Sequence, residues 1–186
     1  MSRLTIIDLP LAGLKLAERV RLEDSRGFFE RLFCAEELLG AGWDSAIAQI
    51  NHSFTCKAAT IRGMHYQTDE HAEMKLVSCL RGEVWDVAVD VRHSSPTFLH
   101  WHAETLSAEN RRAMLIPQGF AHGFQTLTDN TVLIYCHSKS YQPNAERGLH
   151  PLDSRLAIKW PLPVDLLSPR DSAHPFIERS FTGVSL

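Results

Sequence analysis

Short runs of alternating or mostly apolar residues recur along this chain, separated by turns rich in Gly, Pro and Asp. The predicted strands lie at residues 4–20 (two apolar patches around a turn), 28–33, 46–53, 58–65, 75–80, 84–92, 98–106, 113–116, 123–127 and 131–141. Many short strands with turns at intervals of about ten residues are typical of an all-β sandwich or barrel. The best helix candidate is 35–41, with two Glu and two Leu before Gly42.

The predicted strand at 84–92 alternates between two kinds of side chain. One face carries Asp86 and Asp90, and the other carries bulky apolar residues such as Trp85 and Val87. The polar face could line a pocket or could face solvent, and periodicity alone leaves both open. The preceding triplet Arg81-Gly82-Glu83 predicts a hairpin turn between this strand and the one before it.

The 186 residues are expected to form a single domain, 1–186, with a loop-rich C-terminal segment from about 143. The chain is 44% hydrophobic and 22% charged, as in ordinary globular proteins. Its net charge of −3 provides no general attraction to nucleic acid or to an anionic membrane. We therefore expect neither as a partner, and any anion site has to be a local cluster of basic residues.

The cysteines are dispersed, and no signal for export is found. None of the four belongs to a CxxC pair; they are Cys34, Cys56, Cys79 and Cys136. This pattern predicts reduced structural cysteines in a cytoplasmic protein. The N-terminus lacks the pattern of a signal peptide, and no apolar run approaches the ~20 residues of a membrane span.

Two segments combine an imidazole with glycine and aromatic residues. Residues 60–67 read TIRGMHYQ and include His65, and residues 116–124 read IPQGFAHGF and include His122. Histidine can take and return a proton near neutral pH. The planar guanidinium of Arg62 suits phosphate oxygens. A base beside an anion-binding group predicts an enzyme that acts on a phosphorylated small molecule.

An ordered set of motifs from about Arg26 to Asp171 resembles one known family. The set comprises RGMHYQ at 62–67, KLV at 75–77, GEVWDVAVDVR at 82–92, SSPTF at 94–98, IPQGFAHGF at 116–124, Tyr135, Tyr141, Glu146, WP at 160–161 and LSPRD at 167–171. In this order the motifs resemble the dTDP-4-dehydrorhamnose 3,5-epimerases. Each motif is weak alone, and the ordered set is specific.

The resemblance implies a cupin-type double-stranded β-helix (jelly roll) that forms a homodimer. It implies a nucleotide-diphospho 4-keto-6-deoxyhexose as substrate, epimerised at carbons 3 and 5, with no metal and no organic cofactor. By the same resemblance His65 is the base and Tyr135 the acid. Asp171 pairs with the histidine, and Lys75 lies near the ketone oxygen.

The resemblance also implies a set of substrate contacts. The positions matched to the diphosphate are Arg26, Arg62 and His122. Gln49 and Asn51 match a Gln-x-Asn segment that lines the sugar or nucleotide site. The positions matched to the nucleotide are Tyr141, which would stack on the base, Glu146 and Arg170.

One position departs from the family pattern. The family usually has a glutamate five residues after the arginine of Arg-Gly-Phe-Phe, where this chain has Arg31; glutamate stands one residue earlier, as Glu30. A shift of one residue turns a side chain to the other face of a strand, so Glu30 is not a direct substitute. The departure bears on the nucleotide or sugar preference more than on the reaction.

Three alternatives remain open from the sequence. The pattern Pro117-x-Gly119-x-x-His122 resembles half of a metal-binding cupin signature, and His100 and His102 lie two apart as metal ligands often do. Tyr66 and Gln67 after His65 do not complete that signature. The chain could also be a sugar-nucleotide binding protein without activity, or an epimerase of one centre on a related dTDP-, CDP- or GDP-linked sugar.

Overall fold

A computed structural model describes residues 2–186. Its strands are β1 (Leu4–Asp8), β2 (Lys15–Arg19), β3 (Arg21–Asp24), β4 (Gly27–Glu30), β5 (Gln49–Thr55), β6 (Thr60–Gln67), β7 (Lys75–Arg81), β8 (Glu83–Asp90), β9 (Trp101–Ser107), β10 (Arg112–Ile116), β11 (Phe120–Thr126), β12 (Thr131–His137), β13 (Glu146–Gly148) and β14 (Leu166–Leu167). Two short helices are present, α1 (Ala35–Leu39) and α2 (Pro169–Ser172), with a 3₁₀ turn at Asp69–His71. The predicted helix at 35–41 and strand at 46–53 are present with shifted ends.

The strands form two large sheets and one small one. The first sheet has the order β1-β2-β10-β7-β12-β5, and the second has the order β13-β6-β11-β8-β9, with β14 added parallel to β6. Strands β3 and β4 pair only with each other. The predicted all-β, cupin-type fold is confirmed. Among the described residues no helix is long and apolar enough to cross a membrane.

Apolar side chains from both large sheets form the central core. This cluster includes Leu16, Val77, Val84, Ala88, Leu106, Met114, Ile116, Phe120, Phe124 and Leu133. A second cluster lies around Trp43 and Leu38 of α1, and a third packs the C-terminal segment against β8 and β11. Because apolar residues fill one end of the space between the sheets, polar side chains at the other end can line a cavity.

The alternation predicted for β8 is present, and neither of its faces is open to solvent. Asp86 and Asp90 are fully buried. Asp86 accepts a hydrogen bond from His122 Nε2 at 2.8 Å. Asp90 accepts hydrogen bonds from Ser95 and Thr97, each at 2.6 Å. The solvent-facing alternative is therefore wrong, and Asp86 supports a cavity residue without lining the cavity itself.

The predicted hairpin at Arg81-Gly82-Glu83 is wrong. β7 pairs with β10 and β12 in the first sheet, whereas β8 pairs with β11 and β9 in the second. The triplet is therefore a corner at which the chain changes sheets. Gly82 allows it, with φ +76° and no room for a Cβ, which would lie 2.5 Å from Thr128 Oγ1.

Candidate active site

A cavity of about 870 Å³ opens between the two large sheets. Its lining residues come from β5, β7 and β12 of the first sheet, from β6 and β11 of the second, and from the segment around α2. Eleven of the twelve predicted site residues line it: Gln49, Asn51, Arg62, His65, Lys75, His122, Tyr135, Tyr141, Glu146, Arg170 and Asp171. The exception is Arg26.

An irregularity in β6 places Arg62 and His65 on the same side. Opposite them on β11, His122 pairs with His65 and Phe124 with Arg62. Three steps along β6 therefore match two along β11, which means that β6 contains one extra residue. In a regular strand, residues three apart would point to opposite faces. The extra residue brings the guanidinium and the imidazole into the same cavity.

Gly63 makes this irregularity possible. Its φ is +126°, a conformation that residues with a Cβ rarely adopt. A Cβ there would lie 2.5 Å from the Cα of Gly123 and 2.8 Å from the carbonyl oxygen of His122. The glycine in the RGMHYQ motif therefore has a structural cause: close approach of β6 to β11 beside the cavity.

His65 and Asp171 form a hydrogen-bonded pair. The Nε2 of His65 lies 2.7 Å from Oδ1 of Asp171. Because a carboxylate only accepts, we assign the proton to Nε2, which leaves Nδ1 free to accept a proton. The Asp171 side chain is 4% exposed and that of His65 is 30% exposed, so the imidazole is the more accessible member of the pair.

The local structure around α2 holds Asp171 in its ionised form. Its backbone N–H donates to the N-cap Ser168 Oγ at 3.0 Å, and its Oδ2 accepts from the backbone N–H of Gly63 at 3.3 Å. Burial raises the pKa of the Asp171 carboxyl, but the hydrogen bonds from His65 and Gly63 outweigh it and the net pKa is below its ordinary value. The carboxylate can therefore stabilise an imidazolium.

Tyr135 reaches the cavity from the other sheet. It belongs to β12, and its hydroxyl forms a 3.0 Å hydrogen bond with Ser53 Oγ of β5. Burial raises the pKa of the phenol well above its ordinary value. Tyr135 is therefore neutral and can donate a proton, and it lines the same cavity as His65 of the other sheet.

Lys75 is buried together with a carboxylate that the sequence reading missed. Its Nζ lies 3.0 Å from Glu73 Oε1 and donates to the carbonyl of His65 at 3.1 Å. Gln67 Nε2 donates to the other oxygen of Glu73 at 2.9 Å. Glu73 lies two residues before Lys75, a spacing that could have suggested it. The ammonium is thus fixed beside the base by two partners.

An exposed arginine and a buried histidine also line the cavity, Arg62 and His122. Arg62 Nε donates to Thr55 Oγ1 at 3.0 Å, which fixes the plane of the guanidinium. His122 donates to the buried Asp86, and its ring centroid is 6.2 Å from that of Tyr135. Arg62 can donate hydrogen bonds to an anion in the cavity, and His122 can do so through Nδ1 when that nitrogen also carries a proton.

The predicted nucleotide residues form a connected group at the cavity edge. Tyr141 donates its hydroxyl proton to Glu146 Oε2 at 2.7 Å, and Glu146 forms an ion pair with Arg170. Gln49 Oε1 accepts from the backbone N–H of Tyr141 at 2.9 Å, and Gln49 Nε2 donates to Asn51 Oδ1 at 3.0 Å. The Tyr141 ring is 46% exposed, so a flat ring can stack on it.

Arg26 does not line the cavity, and neither does Arg31, the residue at which the chain departs from the family pattern. Arg26 is at the turn of the β3–β4 hairpin, 87% exposed and paired with Asp24. Glu30 is 3.2 Å from Arg21 and 3.6 Å from Arg19, and Arg31 pairs with Glu37. Within this chain the expectation that Arg26 faces the cavity is not met, because β3 and β4 pair with neither large sheet.

Two further histidines, which match none of the motifs, line the cavity: His52 and His137. His137 of β12 lines it, with its Nε2 3.4 Å from Asn51 Nδ2. Burial, and then the charge of Lys75, lowers the pKa of His137 to about 4. The imidazole is thus neutral at physiological pH and can accept a hydrogen bond from Asn51.

The imidazoles of the metal-binding alternative do not converge in the cavity. His122 lines it, but His100 and His102 do not, and His102 Nε2 is 2.9 Å from Glu104 instead. In the part of the chain that the structure describes, the group of potential metal ligands is His65, Asp171 and His174, whose donor atoms lie within 4.8 Å of one another.

One cavity of a cupin barrel is thus lined by an imidazole hydrogen-bonded to a carboxylate, by a phenol on the other sheet and by a fixed ammonium. Such a set of groups is typical of enzymes that move protons. The chain belongs to the dTDP-4-dehydrorhamnose 3,5-epimerase family, whose model matches residues 8–179.

Relatives and solved structures agree with this assignment. The dTDP-4-dehydrorhamnose 3,5-epimerase of Shigella flexneri is 39% identical over 96% of this chain and 99% of its own. The crystal structure of dTDP-6-deoxy-D-glucose-3,5-epimerase from Legionella pneumophila, in complex with dTDP-4-keto-L-rhamnose, has a TM-score of 0.90 at 39% identity and covers 97% of this chain and 98% of that one. The dTDP-4-dehydrorhamnose 3-epimerase of Streptomyces niveus is 40% identical over 80% of this chain and 72% of its own.

Proposed function

We propose that this protein converts a dTDP-linked 4-keto-6-deoxyhexose to its epimer at carbons 3 and 5. The observation that carries this proposal is the placement of His65, with Asp171 behind it, and of Tyr135 on opposite sheets around one cavity. Inversion requires a proton to leave one face of a carbon and another to arrive on the opposite face. A base and an acid on facing sheets meet this requirement.

Each inversion has two steps. His65 Nδ1 takes the proton from the carbon next to the ketone, and the electrons of that C–H bond form an enolate on the ketone oxygen. The imidazolium is stabilised by Asp171, and the enolate oxygen by the Lys75 ammonium. Tyr135 then donates its proton to the opposite face of the carbon, and solvent restores both groups. No electrons are lost or gained overall.

The remaining cavity residues hold the substrate in this proposal. Arg62 binds the diphosphate through the N–H groups of its guanidinium, whose plane Thr55 fixes. His122 gives its Nε2–H to Asp86, so it contacts the diphosphate through Nδ1 when that nitrogen also carries a proton. Tyr141 stacks on the base of the nucleotide, with Glu146 and Arg170 beside it. Gln49 and Asn51 donate to the sugar or nucleotide. The proposal for dTDP rests on the relatives that carry this name.

The active form in this proposal is a homodimer in which Arg26 reaches the cavity of the other copy. The β3–β4 hairpin exposes Phe28 by 59% and Phe29 by 65%, and Leu22 beside them by 43%. Three large apolar side chains on one hairpin favour burial against another molecule. This would place Arg26 at a diphosphate that it cannot reach within its own chain.

The location in this proposal is the cytoplasm. The four cysteines, all thiols, support it.

A second candidate, epimerisation at one carbon only, is favoured by the likeness to the 3-epimerase of Streptomyces niveus. Proton NMR of dTDP-4-keto-6-deoxyglucose with the protein in deuterated water distinguishes the two. Deuterium at carbons 3 and 5 is expected for the double epimerase. Deuterium at one carbon would establish the single-centre reaction, and no exchange at either carbon would refute both.

A further inference from the structure

A second histidine lies behind the His65–Asp171 pair. His174 follows Asp171 by three residues, just after α2, and its Nε2 is 3.7 Å from Asp171 Oδ1. Its ring centroid is 5.3 Å from that of His65, with the ring planes at 74°. One carboxylate oxygen therefore lies between two imidazoles. The proposed reaction uses only one of them.

The Nε2 of His174 is buried and has no hydrogen-bond partner among the described residues. The 3.7 Å separation from Asp171 is too long for a hydrogen bond. A buried polar atom without a partner is unfavourable, and such atoms need an explanation. A bound ion at this position would use the lone pair that the protein leaves free.

The backbone leaves space for the ring at this place. Gly148 of β13 lies directly against His174, and a Cβ on Gly148 would be 2.2–2.4 Å from three atoms of the imidazole. The ring is thus held between β13 and Asp171, with its side chain 14% exposed. Its orientation is fixed by packing, as is needed for a ligand that binds an ion without large rearrangement.

We propose that His65, Asp171 and His174 form a binding site for a divalent transition-metal ion such as Zn²⁺, and that the bound ion switches the epimerase off. Two imidazole nitrogens and one carboxylate oxygen are a common ligand set for Zn²⁺, with water as the fourth ligand. The three donor atoms lie within 4.8 Å of one another. Bonds of about 2.0–2.1 Å at a tetrahedral ion place the donor atoms about 3.3 Å apart. The Asp171 oxygen is now 2.7 Å from His65 Nε2 and 3.7 Å from His174 Nε2, so these two separations need small changes only.

The second half of this proposal rests on the proposed role of His65 as the base. Without the ion, Nε2 of His65 carries its proton toward Asp171, and Nδ1 is free to accept a proton. A metal ion on Nε2 needs the lone pair of that nitrogen, so the single proton of the neutral imidazole moves, by exchange with solvent, from Nε2 to Nδ1. That nitrogen is then a donor and cannot abstract a proton. His65 would remain in place and be inactive.

The test measures ion binding and turnover separately, on the full chain without an affinity tag. Isothermal titration calorimetry with Zn²⁺, and visible absorption spectra with Co²⁺, report binding alone. We expect one ion per chain in the wild type and binding weakened at least about tenfold in His174→Ala and His174→Gln. The glutamine variant fills much of the same space, so loss of binding in both variants cannot be a packing effect. His71→Ala, which removes an exposed imidazole paired with Glu70, should bind as the wild type does.

Turnover provides the second measurement. Saturating Zn²⁺ should reduce the wild-type rate at least about tenfold, while His174→Gln should keep its rate at the same Zn²⁺ concentration. Equal Zn²⁺ affinity in the wild type and both His174 variants would overturn the site, and an unchanged rate in the ion-bound wild type would overturn the switch. If the metal-free protein epimerised no substrate, the proposed function would fail, while the calorimetric result would still decide the site.

Discussion

The side chains of His65 and Asp171 meet at 2.7 Å although they lie 106 residues apart in the chain. One belongs to β6 and the other to a four-residue helix near the C-terminus. The contact depends on Gly63, whose N–H also donates to Asp171. His65, its carboxylate partner and the irregularity in β6 therefore form one unit.

Asp171→Asn should reduce kcat/KM for epimerisation at least about 100-fold. The amide cannot stabilise an imidazolium, and it can hold His65 in the tautomer whose Nδ1 is protonated. Circular dichroism should show an intact fold. Asp165→Asn removes an exposed carboxylate from the same C-terminal segment and should leave the rate near that of the wild type. Comparable rates for both variants would contradict the role of Asp171.

Tyr135→Phe should slow epimerisation about 100-fold or more, because the reprotonation step loses its donor. The proton NMR assay in deuterated water measures this directly. Tyr66→Phe is the matched control, since Tyr66 also lines the cavity and has no assigned role. Loss of activity in the control alone would mean that the acid is Tyr66 instead.

Gly63→Ala should lower the free energy of unfolding by about 2 kcal/mol or more, because it combines a strained φ with a clash against the backbone of β11. Activity should fall as well, since Arg62 and His65 no longer share one side of β6. Thermal denaturation measures the first effect. Gly40→Ala, at a position with nothing within 4 Å of the added Cβ, should change the melting temperature little.

The stability of the protein should fall between about pH 6.5 and pH 4 because of His137. The folded pKa is about 4, whereas the unfolded value is about 6.5. Between these values the unfolded chain binds the proton and the folded one does not, so the stabilisation is present above pH 6.5 and is lost as the pH falls. This lowers the free energy of unfolding by at most about 3 kcal/mol. Urea denaturation measures the free energy of unfolding at pH 7 and pH 4.5. The difference between these two values should be smaller for His137→Gln than for the wild type, and equal differences would refute the prediction.

Mixing two variants of low activity tests whether Arg26 acts in the other copy. Arg26→Ala and His65→Ala should each be weakly active alone. After dissociation and reassociation of an equal mixture, about half of the dimers are mixed, and each mixed dimer has one cavity with both native residues. Activity should then recover to about a quarter of the wild-type value. No recovery would show that Arg26 serves its own chain or has no part in the site. Arg155→Ala, mixed with His65→Ala in place of Arg26→Ala, controls for the effect of dissociation and reassociation on activity.

The sequence by itself determined the fold class and the chemistry available to it. Alternation in β8 and regular turns predicted an all-β fold because side-chain direction in a strand depends only on position along the chain. The motifs around His65 and His122, in their order, were enough to identify the family.

The tertiary structure alone decided which residues meet. Gly82 looks like a hairpin turn in the sequence but joins two sheets, because sheet membership depends on partners that are distant in the chain. Glu73 was recognised only through its contact with Lys75, and Arg26 was found outside the cavity because its hairpin pairs with neither large sheet. His174 had no motif to mark it. Its importance follows from the position of the Asp171 carboxylate between His174 and His65. Only the packing of β13 and α2 against β6 brings these three side chains together.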